Sequence, residues 1–157
     1  MATTLDIDRW IESAEDFEFE GHRIASRSAG QGRPLLLVHG YPTSSWDWCR
    51  VWDALAANRR VVACDMLGFG LSDKPRSGYS IHRQTDLQQA LLSHLDIRDF
   101  DAIVHDYGDT VGQEMLARHI EGSGFTGLGR IAFLNGGLFP EQHRMRPIQK
   151  LGVGPFG

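Results

Sequence analysis

A sharp turn from a strand into a helix is predicted around Asp106, and few architectures accommodate such a turn. An apolar run over residues 102–104 leads into it. Apolar residues at helical spacing follow it, at Val111, Met115, Leu116 and Ile120. A turn of this kind strains its central residue and needs a small neighbour, which Gly108 provides. Asp106 is therefore predicted to project from the carboxyl edge of a sheet, the position that a nucleophile takes in such a turn.

Short apolar strands alternate with amphipathic helices along the rest of the chain. A hairpin is predicted over residues 16–28, and further strands at 34–38, 61–64, 100–104 and 130–134. One helix carries Trp48, Val51, Trp52 and Leu55, with Ser44 or Ser45 as its cap. Another is capped by Ser80 and buries Leu87, Leu91, Leu92 and Leu95. This alternation predicts the α/β class, with a mostly parallel, doubly wound sheet covered on both faces.

Composition excludes several classes of partner. The 157 residues are 41% apolar and 23% charged, which is typical of one soluble globular unit. A net charge of -4 provides no basic field for nucleic acid. No apolar segment is long enough for a membrane helix, and the charged residues within positions 1–10 do not resemble a signal peptide, so we expect a cytoplasmic protein. Cys49 and Cys64 are too far apart in sequence for a zinc or redox motif, and we expect no metal and no cofactor.

A second turn is expected to approach Asp106 from a neighbouring strand. Residues 39–42 (His-Gly-Tyr-Pro) follow the strand at 34–38 directly, so their backbone lies at the carboxyl edge of the sheet. The N–H group of Tyr41 can face the turn there. Together with the N–H group of Tyr107, it would supply two donors for an oxyanion.

A glycine-rich loop follows the next strand, over residues 65–75. Its Gly68-x-Gly70 pattern lacks the third glycine of a dinucleotide fingerprint, and Pro75 prevents a helix from opening directly after it. Asp65, at the start of the loop, is expected to fix the loop by hydrogen bonds rather than to act on a ligand.

Taken together, these motifs resemble those of α/β-hydrolases with an aspartate nucleophile, the epoxide hydrolases and haloalkane dehalogenases. The resemblance covers the chain from about residue 16 onward. Within that group, four segments are most similar to the mesoderm-specific-transcript branch: residues 40–48, 67–70, 105–109 and 135–141.

The resemblance implies a covalent mechanism. Asp106 would attack a carbon of a small apolar or electrophilic substrate and form an alkyl-enzyme ester, which a histidine-activated water hydrolyses. The backbone N–H groups of Tyr41 and Tyr107 would be the oxyanion donors. The residues expected to contact substrate are His39, Gly40, Pro42, Trp46 and Tyr107. A second acid, Asp109, cannot occupy the tip of the turn and is interpreted as a carboxylate at the start of a helix.

Two positions bear on the substrate. Haloalkane dehalogenases carry asparagine and tryptophan where this chain has Tyr41 and Tyr107, so the resemblance favours an epoxide over a halide. A haloalkane dehalogenase-like hydrolase and a non-catalytic homologue that binds a small ligand remain as alternatives. Some dehalogenases carry their catalytic acid at the position of Asn135, so that acid is expected later in the chain or is missing.

The resemblance also implies a domain organisation. Residues 1–15 are interpreted as an extension, 16–139 as the amino-terminal part of an α/β-hydrolase core, and 140–157 as the incomplete start of a cap or a connector. In this family the cap, the last two core strands and the general-base histidine follow the strand at 130–134. The chain is therefore predicted to be an amino-terminal half, truncated before those elements and inactive by itself.

Overall fold

A computed structural model describes residues 7–136, which contain one six-stranded sheet with the strand order β1-β2-β4-β3-β5-β6. The strands are β1 (Glu15–Phe19), β2 (His22–Ala29), β3 (Pro34–Val38), β4 (Arg60–Cys64), β5 (Phe100–His105) and β6 (Leu128–Leu134). β1 and β2 form an antiparallel hairpin at one edge, and β2 is also antiparallel to β4. The other neighbours are parallel. This confirms the predicted α/β class and its mostly parallel sheet.

Helices cover both faces of the sheet. The helices are α1 (Ile7–Glu12), α2 (Cys49–Ala56), α3 (Ile81–His94) and α4 (Tyr107–Glu121), and a 3-10 turn (Ser45–Trp48) precedes α2. Side chains of β3 alternate between the faces, with Leu36 packed among residues of α3 and α4 and Leu37 packed against Trp52 of α2. No helix within residues 7–136 is long and apolar enough to cross a membrane.

The predicted helix caps are largely confirmed. The side chain of Ser80 accepts a hydrogen bond of 3.1 Å from the Arg83 amide at the start of α3. Ser44 accepts one of 3.3 Å from the Trp46 amide, so it caps the 3-10 turn, and α2 begins without a side-chain cap.

Two residues depart from the predicted apolar faces. Val51 is 43% exposed and Ile120 is 75% exposed, so neither contributes to the core. In both helices the period of 3.6 residues identified the buried face but not where that face ends.

The short helix α1 packs against the core through Trp10. The Trp10 ring lies edge-on to the rings of Trp46 and Trp52, at centroid distances of 5.5 and 5.2 Å. The guanidinium carbon of Arg27 lies 4.8 Å from the centroid of the Trp10 ring. The end predicted for the core at residue 139 and the predicted cap region lie outside the described residues.

β6 forms the second edge of the described sheet and pairs there only with β5. Unpaired strand edges recruit further strands, so we expect this chain by itself to associate with itself through β6. Ala132→Lys, which places a charge on an exposed position of β6, should reduce that association. Sedimentation velocity over a range of concentrations measures it.

Ala54→Lys, on the exposed surface of α2, is the matched control and should leave the association unchanged. A monomer at every concentration, without either substitution, would contradict this expectation.

Candidate active site

Asp106 lies at the tip of the turn between β5 and α4, as the sequence predicts. Its backbone φ is 53° and ψ is -115°, a positive-φ conformation that residues with a side chain rarely adopt. Such strain is held only where the surroundings fix the backbone. A Cβ atom at Gly108 would lie 2.7 Å from the carbonyl oxygens of Val38 and His39, so a larger residue does not fit there.

Two backbone amides converge on one oxygen of the Asp106 carboxylate. Oδ1 accepts a 2.8 Å hydrogen bond from the Tyr41 amide and a 2.7 Å bond from the Tyr107 amide. A Cβ atom at Gly40 would lie 2.7 Å from Cβ of Asp106, so the turn after β3 packs directly against the turn before α4. The two motifs therefore meet at one edge of the sheet, as their positions in the sequence predict.

This arrangement favours negative charge at Oδ1. Hydrogen bonds from amides to a carboxylate are stronger than those between neutral groups, and the start of α4 adds a positive dipole end. Two donors below 3 Å from one oxygen also form the geometry that stabilises an oxyanion. A carboxylate held in this way can act as a nucleophile through its other oxygen.

His39 is buried beneath the candidate site and binds two of the loops that form it. Its side chain has no exposed surface. Nε2 accepts a 3.0 Å hydrogen bond from the Met66 amide, and Nδ1 lies 2.8 Å from the Gly40 carbonyl oxygen, so Nδ1 carries the proton of a neutral ring. Burial lowers the pKa of His39 and thereby favours this neutral form. Both nitrogens bind within the protein, so His39 holds the loops together and, contrary to our expectation, offers no atom to a substrate.

The other residues predicted to contact substrate differ in their exposure and in their neighbours. Tyr41 is 67% exposed and Pro42 is exposed beside it, whereas Gly40 is buried. The peptide bond between Tyr41 and Pro42 is cis. Trp46 is half-buried, and its ring contact is with Trp10 of α1. The structure thus brings Tyr41 and Tyr107 to Asp106, whereas the Trp46 ring packs against Trp10.

Sequence reasoning missed Phe69, which lies in the loop after β4. Its ring centroid lies 5.3 Å from that of His39, 6.2 Å from that of Tyr41 and 6.1 Å from that of Tyr107. Phe69 therefore joins the two turns that flank Asp106 and gives that edge an aromatic surface. The sequence feature that could have indicated Phe69 is its position between Gly68 and Gly70, in a loop at the carboxyl edge of the sheet.

Asp65 fixes the same loop, as expected. It accepts hydrogen bonds from the amides of Ser45, at 2.9 Å, and of Leu71, at 2.8 Å. Nη1 of Arg27 lies 3.7 Å from its Oδ1, and both side chains are only 2% exposed. The loop after β4 and the 3-10 turn are thereby held by one buried ion pair.

Asp109 lies in the first turn of α4, as the sequence predicts. Only 1% of its surface is exposed, which the sequence did not indicate. Oδ1 accepts a 3.3 Å hydrogen bond from the Leu134 amide, and a side chain at Gly136 would collide with Oδ2. Asp109 therefore joins α4 to the end of β6, and burial raises the pKa of its carboxyl group.

Comparison with known proteins identifies the fold family. A family model described as alpha/beta hydrolase fold matches residues 33–132. The chain is 43% identical to the mesoderm-specific transcript homolog protein of Bos taurus, over 90% of this chain and 45% of that protein. It is 38% identical to a haloalkane dehalogenase of Sphingobium indicum, over 81% of this chain and 45% of that protein. The chain thus spans less than half the length of either relative.

A solved structure of the epoxide hydrolase CorEH without ligand superimposes with a TM-score of 0.71. The two chains are 28% identical, and the match covers 89% of this chain and 48% of the other. This likeness concerns the overall fold of the chain.

The raised pKa of Asp109 predicts a pH-dependent stability. A carboxyl group with a raised pKa stabilises the fold most at about pH 4 and below, and this contribution is lost as the pH rises through the pKa of the folded state. Asp109→Asn removes this titration. The unfolding free energy of the unsubstituted protein, minus that of the variant, should therefore fall from about pH 4 to about pH 7.

Urea denaturation of the longest natural form that contains this chain measures this difference. Asp53→Asn, at an exposed position of α2, is the control and should show no such trend. A difference that stays constant, or grows as the pH rises, would contradict the role of burial at Asp109.

Proposed function

The chain belongs to the α/β-hydrolase family, and on this premise we propose that it carries the nucleophile of a hydrolase acting through an alkyl-enzyme ester on Asp106. The proposed substrate is a small, apolar epoxide. One observation carries the proposal: the amides of Tyr41 and Tyr107 both donate to Oδ1 of Asp106. Because the relatives are about twice as long, the activity is proposed for the longest natural form of the protein.

In the first step the carboxylate attacks the substrate. Oδ1 is held by the two amides, so Oδ2 is the oxygen that bonds to the electrophilic carbon. The bond between that carbon and the ring oxygen breaks, and the oxygen, still attached to the neighbouring carbon, takes a proton from solvent water. An aspartate is already ionised near neutral pH and needs no base for this step.

In the second step water hydrolyses the ester. Attack at the carboxyl carbon of Asp106 places a negative charge on Oδ1, where the two amides already point. The bond between that carbon and Oδ2 then breaks, the diol leaves with Oδ2, and the water oxygen remains in the carboxylate. Loss of one such donor typically costs about 3 kcal/mol in the transition state. The resemblance implies a histidine that activates this water. We propose that this histidine lies in a part of the full protein that corresponds to the unmatched part of the relatives.

The side chains around Asp106 favour an epoxide. Haloalkane dehalogenases have an asparagine amide and a tryptophan indole as donors at these two positions, and the side chains of Tyr41 and Tyr107 provide neither. Burial raises the pKa of the Tyr107 phenol, which therefore stays protonated and can donate a hydrogen bond to an oxygen. The rings of Phe69, Tyr41 and Tyr107 suit a small apolar substrate.

Dehalogenation is the second candidate, because a haloalkane dehalogenase is 38% identical to this chain. A non-catalytic homologue that binds a small ligand is the third. We also infer that the protein has no nucleic-acid partner, since the net charge is -4.

The direct test is Asp106→Asn in the longest natural form. The amide keeps the shape of the carboxylate but removes the nucleophilic charge, so turnover of styrene oxide should fall by about 10³-fold or more. In a single turnover, the unsubstituted protein should gain the mass of one substrate on the peptide that contains Asp106. Mass spectrometry of the quenched reaction detects that ester.

Asp53→Asn is the matched control and should retain both turnover and labelling. 1-Bromobutane in place of styrene oxide tests the dehalogenase alternative, since halide release would then exceed epoxide turnover. Undiminished turnover by Asp106→Asn, or a label on another residue, would refute the proposed nucleophile. Binding of either compound without any ester would favour the non-catalytic alternative.

A further inference from the structure

The carboxylate of Asp47 binds the turn after β3, one of the two turns that build the site. Its Oδ2 accepts a 2.5 Å hydrogen bond from the Thr43 hydroxyl and a longer one of 3.4 Å from the Gly40 amide. Both donors lie in the turn that carries the Tyr41 amide. The same oxygen lies 3.7 Å from Nδ1 of His105, the residue before Asp106. At 3.7 Å His105 is not hydrogen-bonded to Asp47, so both bonded donors belong to the turn after β3.

Asp47 itself stands on a fixed support. It belongs to the 3-10 turn, whose Ser45 is bound to Asp65 through both its amide and its hydroxyl. Nη1 of Arg27 also donates a 2.8 Å hydrogen bond to the Ser45 hydroxyl. The Asp47 side chain is 21% exposed, so its hydrogen bonds are partly shielded from competing water. The support is thus rigid enough to determine where the turn lies.

We propose that Asp47 is a positioning residue that holds the Tyr41 amide on Oδ1 of Asp106. This inference rests on the proposed function. Without the Asp47 carboxylate, the Gly40 amide loses its acceptor, and the Thr43 hydroxyl keeps only the Gly40 carbonyl oxygen, 3.2 Å away within the same turn. The turn is then no longer tied to the 3-10 turn and can move away from Asp106. The Tyr107 amide is fixed independently, because it belongs to α4. Only one of the two donors therefore depends on Asp47.

The two chemical steps depend differently on that donor. When the ester forms, Oδ1 changes from a carboxylate oxygen to a neutral carbonyl oxygen, so its hydrogen bonds weaken. When water attacks the ester, the negative charge returns to Oδ1 and its hydrogen bonds strengthen. A displaced Tyr41 amide should therefore slow hydrolysis of the ester and leave its formation little changed.

Asp47→Ala in the longest natural form tests this difference. The variant is mixed with styrene oxide, the reaction is quenched at successive times, and intact-protein mass spectrometry measures the ester. The time course gives separate rate constants for ester formation and ester hydrolysis. We expect hydrolysis to slow by about 10-fold or more and formation to change by less than about 3-fold, so that the ester accumulates. Asp47→Asn keeps an oxygen acceptor and should restore part of the hydrolysis rate. Asp53→Ala removes an exposed carboxylate from α2 and should change neither rate.

A second measurement needs no substrate. In Asp47→Ala, hydrogen exchange of the Tyr41 amide should accelerate by about 10-fold, while that of the Tyr107 amide stays unchanged. Unchanged exchange at Tyr41 in both Asp47 variants would overturn the inference. So would an equal slowing of both chemical steps, which is the result expected of a purely structural residue. Absence of an ester in the unsubstituted protein, with faster exchange at Tyr41 in Asp47→Ala, would instead refute the proposed function and leave the positioning role supported.

Discussion

Two glycines allow the turn after β3 and the turn before α4 to meet backbone to backbone, and the candidate site depends on that contact. A Cβ atom at Gly40 would lie 2.7 Å from Cβ of Asp106, and one at Gly108 would lie 2.7 Å from two carbonyl oxygens of residues 38 and 39. Any side chain at either position would push the turns apart. The 2.8 Å hydrogen bond from the Tyr41 amide to Asp106 exists only at this separation. The same packing holds Asp106 in its strained conformation.

Buried polar groups around this contact hold it in one geometry. The ring of His39 ties the turn after β3 to the Met66 amide, and the pair formed by Arg27 and Asp65 fixes the 3-10 turn. Burying such a pair costs desolvation energy, so its contribution is better understood as fixing positions than as adding stability. We expect the same of Asp47, which connects that fixed support to the turn. The site thus consists of backbone donors held in place by buried side chains.

Because the donors are backbone amides, side chains in the site can vary without loss of the oxyanion geometry. Tyr41 and Tyr107 contribute their N–H groups whatever their side chains are. Their rings, together with Phe69, form the surface that a substrate would meet. This separation explains how proteins with one turn geometry can differ in substrate.

The sequence by itself determined the six strands, the helices α2, α3 and α4, the turn at Asp106 and the approach of Tyr41, because periodicity, glycines and strand ends are local signals. It did not indicate α1, which lies in the part interpreted as an extension. Only the tertiary structure decided the environments of His39, Asp47, Phe69 and Asp109. Each of these residues is defined by contacts between segments distant in the chain, such as Asp109 with Leu134. A side chain's burial and its hydrogen-bond partners depend on which segments pack around it, and no local pattern in the sequence encodes that packing.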